Sequence, residues 1–238
     1  MLYIIGLGLG DERGLTLEGA EIARKCERYA ELYTNRWLGT LAGLERIVGK
    51  VTELRRRELE EGSEAFVAKV KDRDVALFVP GDPLAATTHV ELVLEAKKQK
   101  VPVRIIHNAS IFSAVAETGL QLYKFGRTAT IPFSGQVEAV KEALKTNKKA
   151  GLHTLLLLDL DAEVKLYMSV ADALKILLKA KALKPKDVIV AAAGLGTDGS
   201  EVRCGTCEEV AKMKMGTPAV ITVPGKLHFK EEEFLKGL

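Results

Sequence analysis

The sequence predicts an α/β fold in two α/β domains, the first with a mostly parallel sheet and the second with a mixed one. Three observations carry that prediction. Short apolar runs of strand length alternate with segments of helical period. The runs are nearly continuous in Val, Ile, Leu and Ala, as strands buried on both faces are. Glycine or proline closes several of them, as Gly6 and Pro80-Gly81 do. A second strand–helix series begins near Gly126, so the domains are placed at 1–122 and 123–238.

In the first series, 2–7 is a β-rich run ending in glycine. Residues 15–25 have helical spacing, and Thr16 with Glu18 and Glu21 resembles a helix start. A second strand is expected over 29–34, then helices over 41–49 and 58–71. Residues 74–79 read as a buried strand, 88–100 as a helix with Thr87 or Thr88 at its cap, and 103–107 as a strand. Ser110 is placed to cap a helix that stops at Gly119. In the second series, strands are expected over 128–132, 154–160, 187–193 and 219–223. Helices are expected over 136–147, 169–181 and 208–215, with a charged tail helix after Pro224-Gly225-Lys226. Residues 201–204 can pair with 187–193 as a hairpin across the glycine-rich turn 194–200.

Composition excludes several classes. The 238 residues are 47% hydrophobic and 28% charged, an ordinary globular balance rather than a disordered one. Only 5% are aromatic, so the core is aliphatic. The 35 basic and 32 acidic side chains leave +3, too little for a dedicated nucleic-acid binder. Three cysteines do not make a disulfide framework, which points to a reducing, cytoplasmic compartment. Charges at Asp11, Glu12 and Arg13 argue against a signal peptide, and no apolar run has the length of a membrane span.

Ligands of parallel α/β sheets bind beyond the carboxyl ends of the strands. The loops 7–13, 80–88 and 107–111 all fall at that edge, so they are expected to form one site. In the first, Gly6-Leu7-Gly8-Leu9-Gly10-Asp11 follows a strand as a dinucleotide fingerprint would, but Asp11 stands where the third glycine belongs. A carboxylate there repels a pyrophosphate. The loop suits a ligand without phosphate that approaches the backbone closely. In the second, Gly81 permits close approach and Asp82 brings a carboxylate for an ammonium or hydroxyl group. Gly194-Leu195-Gly196-Thr197-Asp198-Gly199 matches G-x-G-x-x-G by letter, yet Ser200–Cys204 does not start a helix, so a hairpin turn is the better reading. Cys204 and Cys207 form a C-x-x-C without further paired ligands, and two half-buried thiols are expected rather than a redox or zinc site. Asp159 and Asp161 could bind a cation, but at a strand end they more often make the turn. No metal site is expected.

Taken together, YIIGLGLGDERGLT, PGDPLAATTH, HNASIFSAVAETGLQLYKFG, GLHTLLLLDL and VPGKLH, in that order, resemble the diphthine synthase family of tetrapyrrole-methylase-like methyltransferases. The match is weak over 136–150, and Ala192-Ala193-Gly194-Leu195-Gly196 stands where the family pattern expects a segment like A-R-A-G-S. The resemblance implies an S-adenosylmethionine-dependent enzyme, with S-adenosylhomocysteine as product. Its substrate would be the modified histidine of translation elongation factor 2, methylated on the amino group of its 3-carboxy-3-aminopropyl chain. It further implies a homodimer, and a cofactor held in the cleft between the domains. By motif position, the cofactor contacts would be Leu9, Asp82, Ala85, Ser110, Ile111, Leu158 and His228, with Ala191 a looser assignment. No catalytic base is assigned; His228, His107 and Asp82 are the candidates. Three other readings compete: a tetrapyrrole methyltransferase of the same fold, a non-enzymatic thiol or metal module on Cys204 and Cys207, and a nicotinamide-dependent dehydrogenase.

Overall fold

Two five-stranded sheets organise the chain in a computed structural model that describes residues 1–238. Each sheet belongs to its own unit: Met1–Phe112 with Asp161–Val164, and Ser113–Leu160 with Lys165–Leu238.

The first unit runs β1 (Leu2–Gly6), α1 (Leu17–Ala23), β2 (Glu27–Glu31), α2 (Leu41–Val48), β3 (Thr52–Leu54), α3 (Arg56–Glu60), α4 (Ser63–Lys69), β4 (Val75–Val79), α5 (Val90–Lys98) and β5 (Val103–Ile106). Its sheet has the order β3-β2-β4-β1-β5 and is parallel throughout. Alternation along the strands sends side chains to both faces. Leu2 and Ile4 of β1 and Val75, Leu77 and Val79 of β4 meet Leu59, Phe66, Val67, Leu92 and Ala96 of α3, α4 and α5 on one side. Ile5, Ala76 and Phe78 meet Ala20, Ala23, Leu44 and Val48 of α1 and α2 on the other. With both faces covered, every β4 side chain is buried, and each large one contributes about 1.5–3 kcal/mol. Thr16 and Thr40 cap α1 and α2 by accepting the Gly19 and Gly43 amides, each at 3.0 Å. Each such cap stabilises by about 1 kcal/mol.

Next come α6 (Ile111–Ala114) and a 3-10 turn ending at Gly119 in the left-handed conformation. The second unit then runs β6 (Ala129–Ile131), α7 (Glu138–Ala150), β7 (Thr154–Leu158), α8 (Val170–Lys179), β10 (Val188–Ala193), β11 (Glu201–Thr206), α9 (Cys207–Val210), β12 (Ala219–Val223) and α10 (Phe229–Leu235), while the short pair β8 (Leu160–Asp161) and β9 (Leu166–Tyr167) flanks the Asp161–Val164 segment. Its sheet has the order β11-β10-β12-β7-β6, and only β6–β7 is a parallel pair, so the sheet is mixed as expected. Leu156, Leu158, Ile189, Ala191 and Ile221 pack under Val140, Ala173, Leu174, Leu177 and Val210. The second glycine cluster is the β10–β11 hairpin turn, with Ala193 paired to Glu201. No helix is long and apolar enough to cross a membrane.

Four local expectations change. The strand expected at 29–34 ends at Glu31, whose carboxylate takes the Tyr33 and Thr34 amides and turns the chain. The helix expected over 58–71 breaks at Gly62 into α3 and α4. The one expected over 208–215 stops at Val210 after a single turn. Neither Thr87 nor Thr88 caps α5; its N-cap is His89, while the Thr87 hydroxyl donates to the Pro83 carbonyl at 2.8 Å.

Candidate functional site

Sheet order places the carboxyl ends of β4, β1 and β5 side by side, so the loops that leave them meet. Gly8 and Gly81 exchange two backbone hydrogen bonds, 3.1 and 3.0 Å long. Glycine is required here. A Cβ on Gly6 would lie 2.5 Å from the Gly81 carbonyl, and Gly8 has φ +71°. Asn108 ties in the third loop. Its Nδ2 donates to the Gly6 and Gly14 carbonyls at 2.9 Å each, and its Oδ1 accepts the Ala109 amide at 2.7 Å.

Asp82 fastens the second loop to the third. Its Oδ1 accepts the Leu84 amide at 3.0 Å, and its Oδ2 accepts the His107 ring Nδ1 at 2.7 Å and the Asn108 amide at 3.2 Å. Burial alone would raise this carboxyl. The Leu84 amide, the His107 ring and the Asn108 amide outweigh it and hold Asp82 below the usual carboxylate range. Asp82 is therefore an ionised acceptor at neutral pH. Leu9, Ala85 and Ile111 are half-buried on the same three loops, and Ser110 is buried. The structure thus gathers Leu9, Asp82, Ala85, Ser110 and Ile111 at one sheet edge. Asp11 caps the 3-10 turn Glu12–Gly14, accepting from the Arg13 amide at 2.9 Å and from its guanidinium. The loop offers a phosphate a carboxylate already engaged by an arginine. Glycine backbone and one ionised carboxylate fit a cofactor that carries hydroxyl and ammonium groups and no phosphate.

In the second unit, Leu158 is the last residue of β7 and Ala191 is central in β10, and both belong to one apolar core. Ala191 is fully buried and paired on both sides, to Arg203 and Ile221. His228 stands apart from these two as the exposed N-cap of α10, its ring 4.2 Å from that of Phe229. Three residues on, Glu231 is buried and collects the His228 amide at 2.7 Å, the Gln121 amide at 2.9 Å, the His153 ring at 2.9 Å and the Lys124 ammonium. Burial opposes its charge, but these donors prevail and press its carboxyl down to about 2. His153 Nδ1 accepts the Gly225 amide, so its proton sits on Nε2 and is donated to Glu231.

The remaining motifs carry no chemistry. Burial, then Asp187, pushes the Cys207 thiol up to about 11, and burial also raises Cys204, so neither is a thiolate. Asp159 accepts the Phe133 and Leu160 amides, Asp161 accepts those of Glu163 and Val164, and no cluster of metal-ligating side chains exists.

Sequence reasoning missed Asn108 and Glu31. Asn108 was legible only as the polar residue that follows a strand end. Glu31 is completely buried at the end of β2. It accepts the Tyr33 and Thr34 amides at 3.2 and 3.1 Å and the Thr34 hydroxyl at 2.5 Å. His89, 3% exposed and with neither ring nitrogen hydrogen-bonded, lies 3.6 Å from it. Burial raises Glu31 to about 8 and lowers His89 to about 4, so both are neutral at pH 7.

Residues 1–211 match the family described as tetrapyrrole (corrin/porphyrin) methylases. The chain is 40% identical to a diphthine synthase of Methanocaldococcus jannaschii, an alignment covering 100% of this chain and 98% of that one. It is 38% identical to a diphthine methyl ester synthase of Schizosaccharomyces pombe, covering 100% and 94%. A solved diphthine synthase structure superposes with a TM-score of 0.93 at 38% identity, over 99% of this chain and 94% of the other.

Proposed function

This chain belongs to the tetrapyrrole (corrin/porphyrin) methylase family, and from that premise we propose which methyl acceptor it serves and which residues hold its methyl donor. It is a methyltransferase. The acceptor is the amino group of the 3-carboxy-3-aminopropyl chain on the modified histidine of translation elongation factor 2, so that the product is diphthine. The observation that carries this reading is the likeness to diphthine synthases along essentially the whole of both chains.

The donor is S-adenosylmethionine, whose sulfonium supplies a methyl group that is already activated. Leu9, Asp82, Ala85, Ser110 and Ile111 are assigned to hold it. The ionised Asp82 and the close-packed glycine backbone support that assignment. Leu158, Ala191 and His228 are assigned with them on the resemblance, Ala191 through backbone alone. With an activated donor, the protein's work is to position and to exclude water rather than to supply a nucleophile. The acceptor amine has to lose a proton before it attacks. We assign the chain to the cytoplasm and to a homodimer, which light scattering at several concentrations tests.

Incubation with methyl-labelled S-adenosylmethionine and elongation factor 2 bearing the aminocarboxypropyl-histidine tests the reading. Label that survives mild base is expected. No transfer, or transfer to the factor without that side chain, contradicts it. The yeast relative's name favours a second reading, in which the carboxylate is methylated too. A fraction of the label lost in mild base would then accompany the stable fraction.

A further inference from the structure

A cavity of about 450 Å³ opens at the carboxyl ends of β2 and β3, within the first unit. Leu32, Tyr33, Glu53, Leu54, Arg55 and Glu163 line it. Leu54 pairs with Glu31 at the strand ends, and β2 is the direct neighbour of β4. Strands lie about 4.8 Å apart, so the cavity sits roughly 10 Å along the same sheet edge from the Asp82 loop. That volume suits a small ligand group.

The lining is unusual in its unspent polar groups. The Tyr33 ring is buried, but its hydroxyl has no protein hydrogen-bond partner and remains accessible from the cavity it lines. The ring is fixed from behind by the Arg56 guanidinium, 5.2 Å from its centroid, and the backbone by Glu31. Burial, followed by the Glu31 and Glu60 carboxylates, raises the phenol above its ordinary value, so it stays a donor. The Arg55 guanidinium makes no ion pair. Glu53 makes none either, and Glu163 spends only one oxygen, on the Arg56 amide at 3.3 Å. A cavity holding one cation and two carboxylates outside any ion pair, and one accessible hydroxyl donor, is complementary to a group that carries both charges.

We propose that this cavity is the acceptor subsite and takes an amino-acid-like end, its carboxylate on Arg55 and the Tyr33 hydroxyl and its amino group towards Glu53 and Glu163. The proposal rests on the function given above, whose substrate ends in such a group, and it adds where that group docks. Arginine and a hydroxyl are a common pair for a carboxylate, and a buried tyrosine contributes its hydrogen bond without further ordering cost.

Two measurements decide it. In steady-state transfer assays, Tyr33→Phe and Arg55→Gln should each raise KM for the modified factor about tenfold, while the affinity for S-adenosylhomocysteine is unchanged. Arg55→Lys should recover part of the loss. Unchanged KM in both variants overturns the proposal. The second is an NMR titration of the wild-type protein with 2-aminobutyrate, beside butyrate and propylamine. Shifts at Tyr33 and Arg55 with 2-aminobutyrate alone support the subsite, and equal or absent responses overturn it. If wild-type protein fails to methylate the factor, the proposed function fails, and the titration still decides the cavity.

Discussion

Each unit buries one glutamate beside one histidine, and the two pairs behave oppositely. Glu31 and Glu231 are both sealed from solvent. Glu231 is driven down to about 2, Glu31 up to about 8. Burial opposes the charge on both, far more heavily on the deeper Glu31, and the donors differ as well. Glu231 has two amides, a histidine Nε2–H within 2.9 Å and a lysine ammonium. Glu31 has two amides and a hydroxyl, and its histidine stands off at 3.6 Å. At Glu231 the His228 amide, the Lys124 ammonium, the Gln121 amide and the His153 ring together outweigh a lighter burial penalty and keep the carboxylate charged. The second unit therefore uses charge as a fastener, joining the segment around Lys124 and Gln121 to the start of α10. The first unit keeps its interior neutral and carries its ionised carboxylate, Asp82, at the loop edge where a ligand can meet it.

The contrast can be broken most forcefully at Glu231. Glu231→Gln leaves Lys124 without its counter-charge and should cost about 3–5 kcal/mol at pH 7 by denaturant unfolding. Because the folded value lies below the ordinary one, this stabilisation is present above about pH 4.5 and is lost as pH falls towards 2. The gap between variant and wild type should narrow over that window; a pH-independent gap would mean the charge is not the fastener.

Glu31→Gln should have the opposite signature. The raised value favours the protonated form in the folded state, so wild-type stability is fully present below about pH 4.5 and falls as pH rises through 8. The variant escapes that loss. It should melt within a few degrees of wild type at pH 5 and gain on it steadily to pH 9. A variant that loses ground with rising pH would show that Glu31 is charged in the fold. The smallest effect belongs to the cysteines. Cys204→Ser should shift stability by no more than about 0.5 kcal/mol, and a chelator should leave the melting temperature unchanged.

Sequence pattern reached the main strands, because strands buried on both faces announce themselves as apolar runs bounded by glycine and proline. It did not reach β3, whose three residues include only one buried side chain, Leu54. It also missed β8 and β9, which are two residues each. Periodicity carries no signal at that length. Asp82 stands out as a carboxylate at the sheet edge, but the segment alone reads as a turn with caps, and only the family resemblance marks Asp82 as a cofactor contact. The buried pair was not, since Glu31 and His89 are distant in sequence and meet only through the β2–β4 contact. Tyr33 was read as part of a strand, and its role in the cavity depends on the turn that Glu31 imposes.

Asp82 and the loops it fastens are expected to hold the methyl donor. Calorimetric titration with S-adenosylhomocysteine tests it most directly, comparing wild type with Asp82→Ala. One saturable site per chain is predicted for wild type, with affinity at least about tenfold weaker in the variant at a melting temperature within a few degrees. No binding to wild type, or equal affinity in a folded variant, would contradict the account.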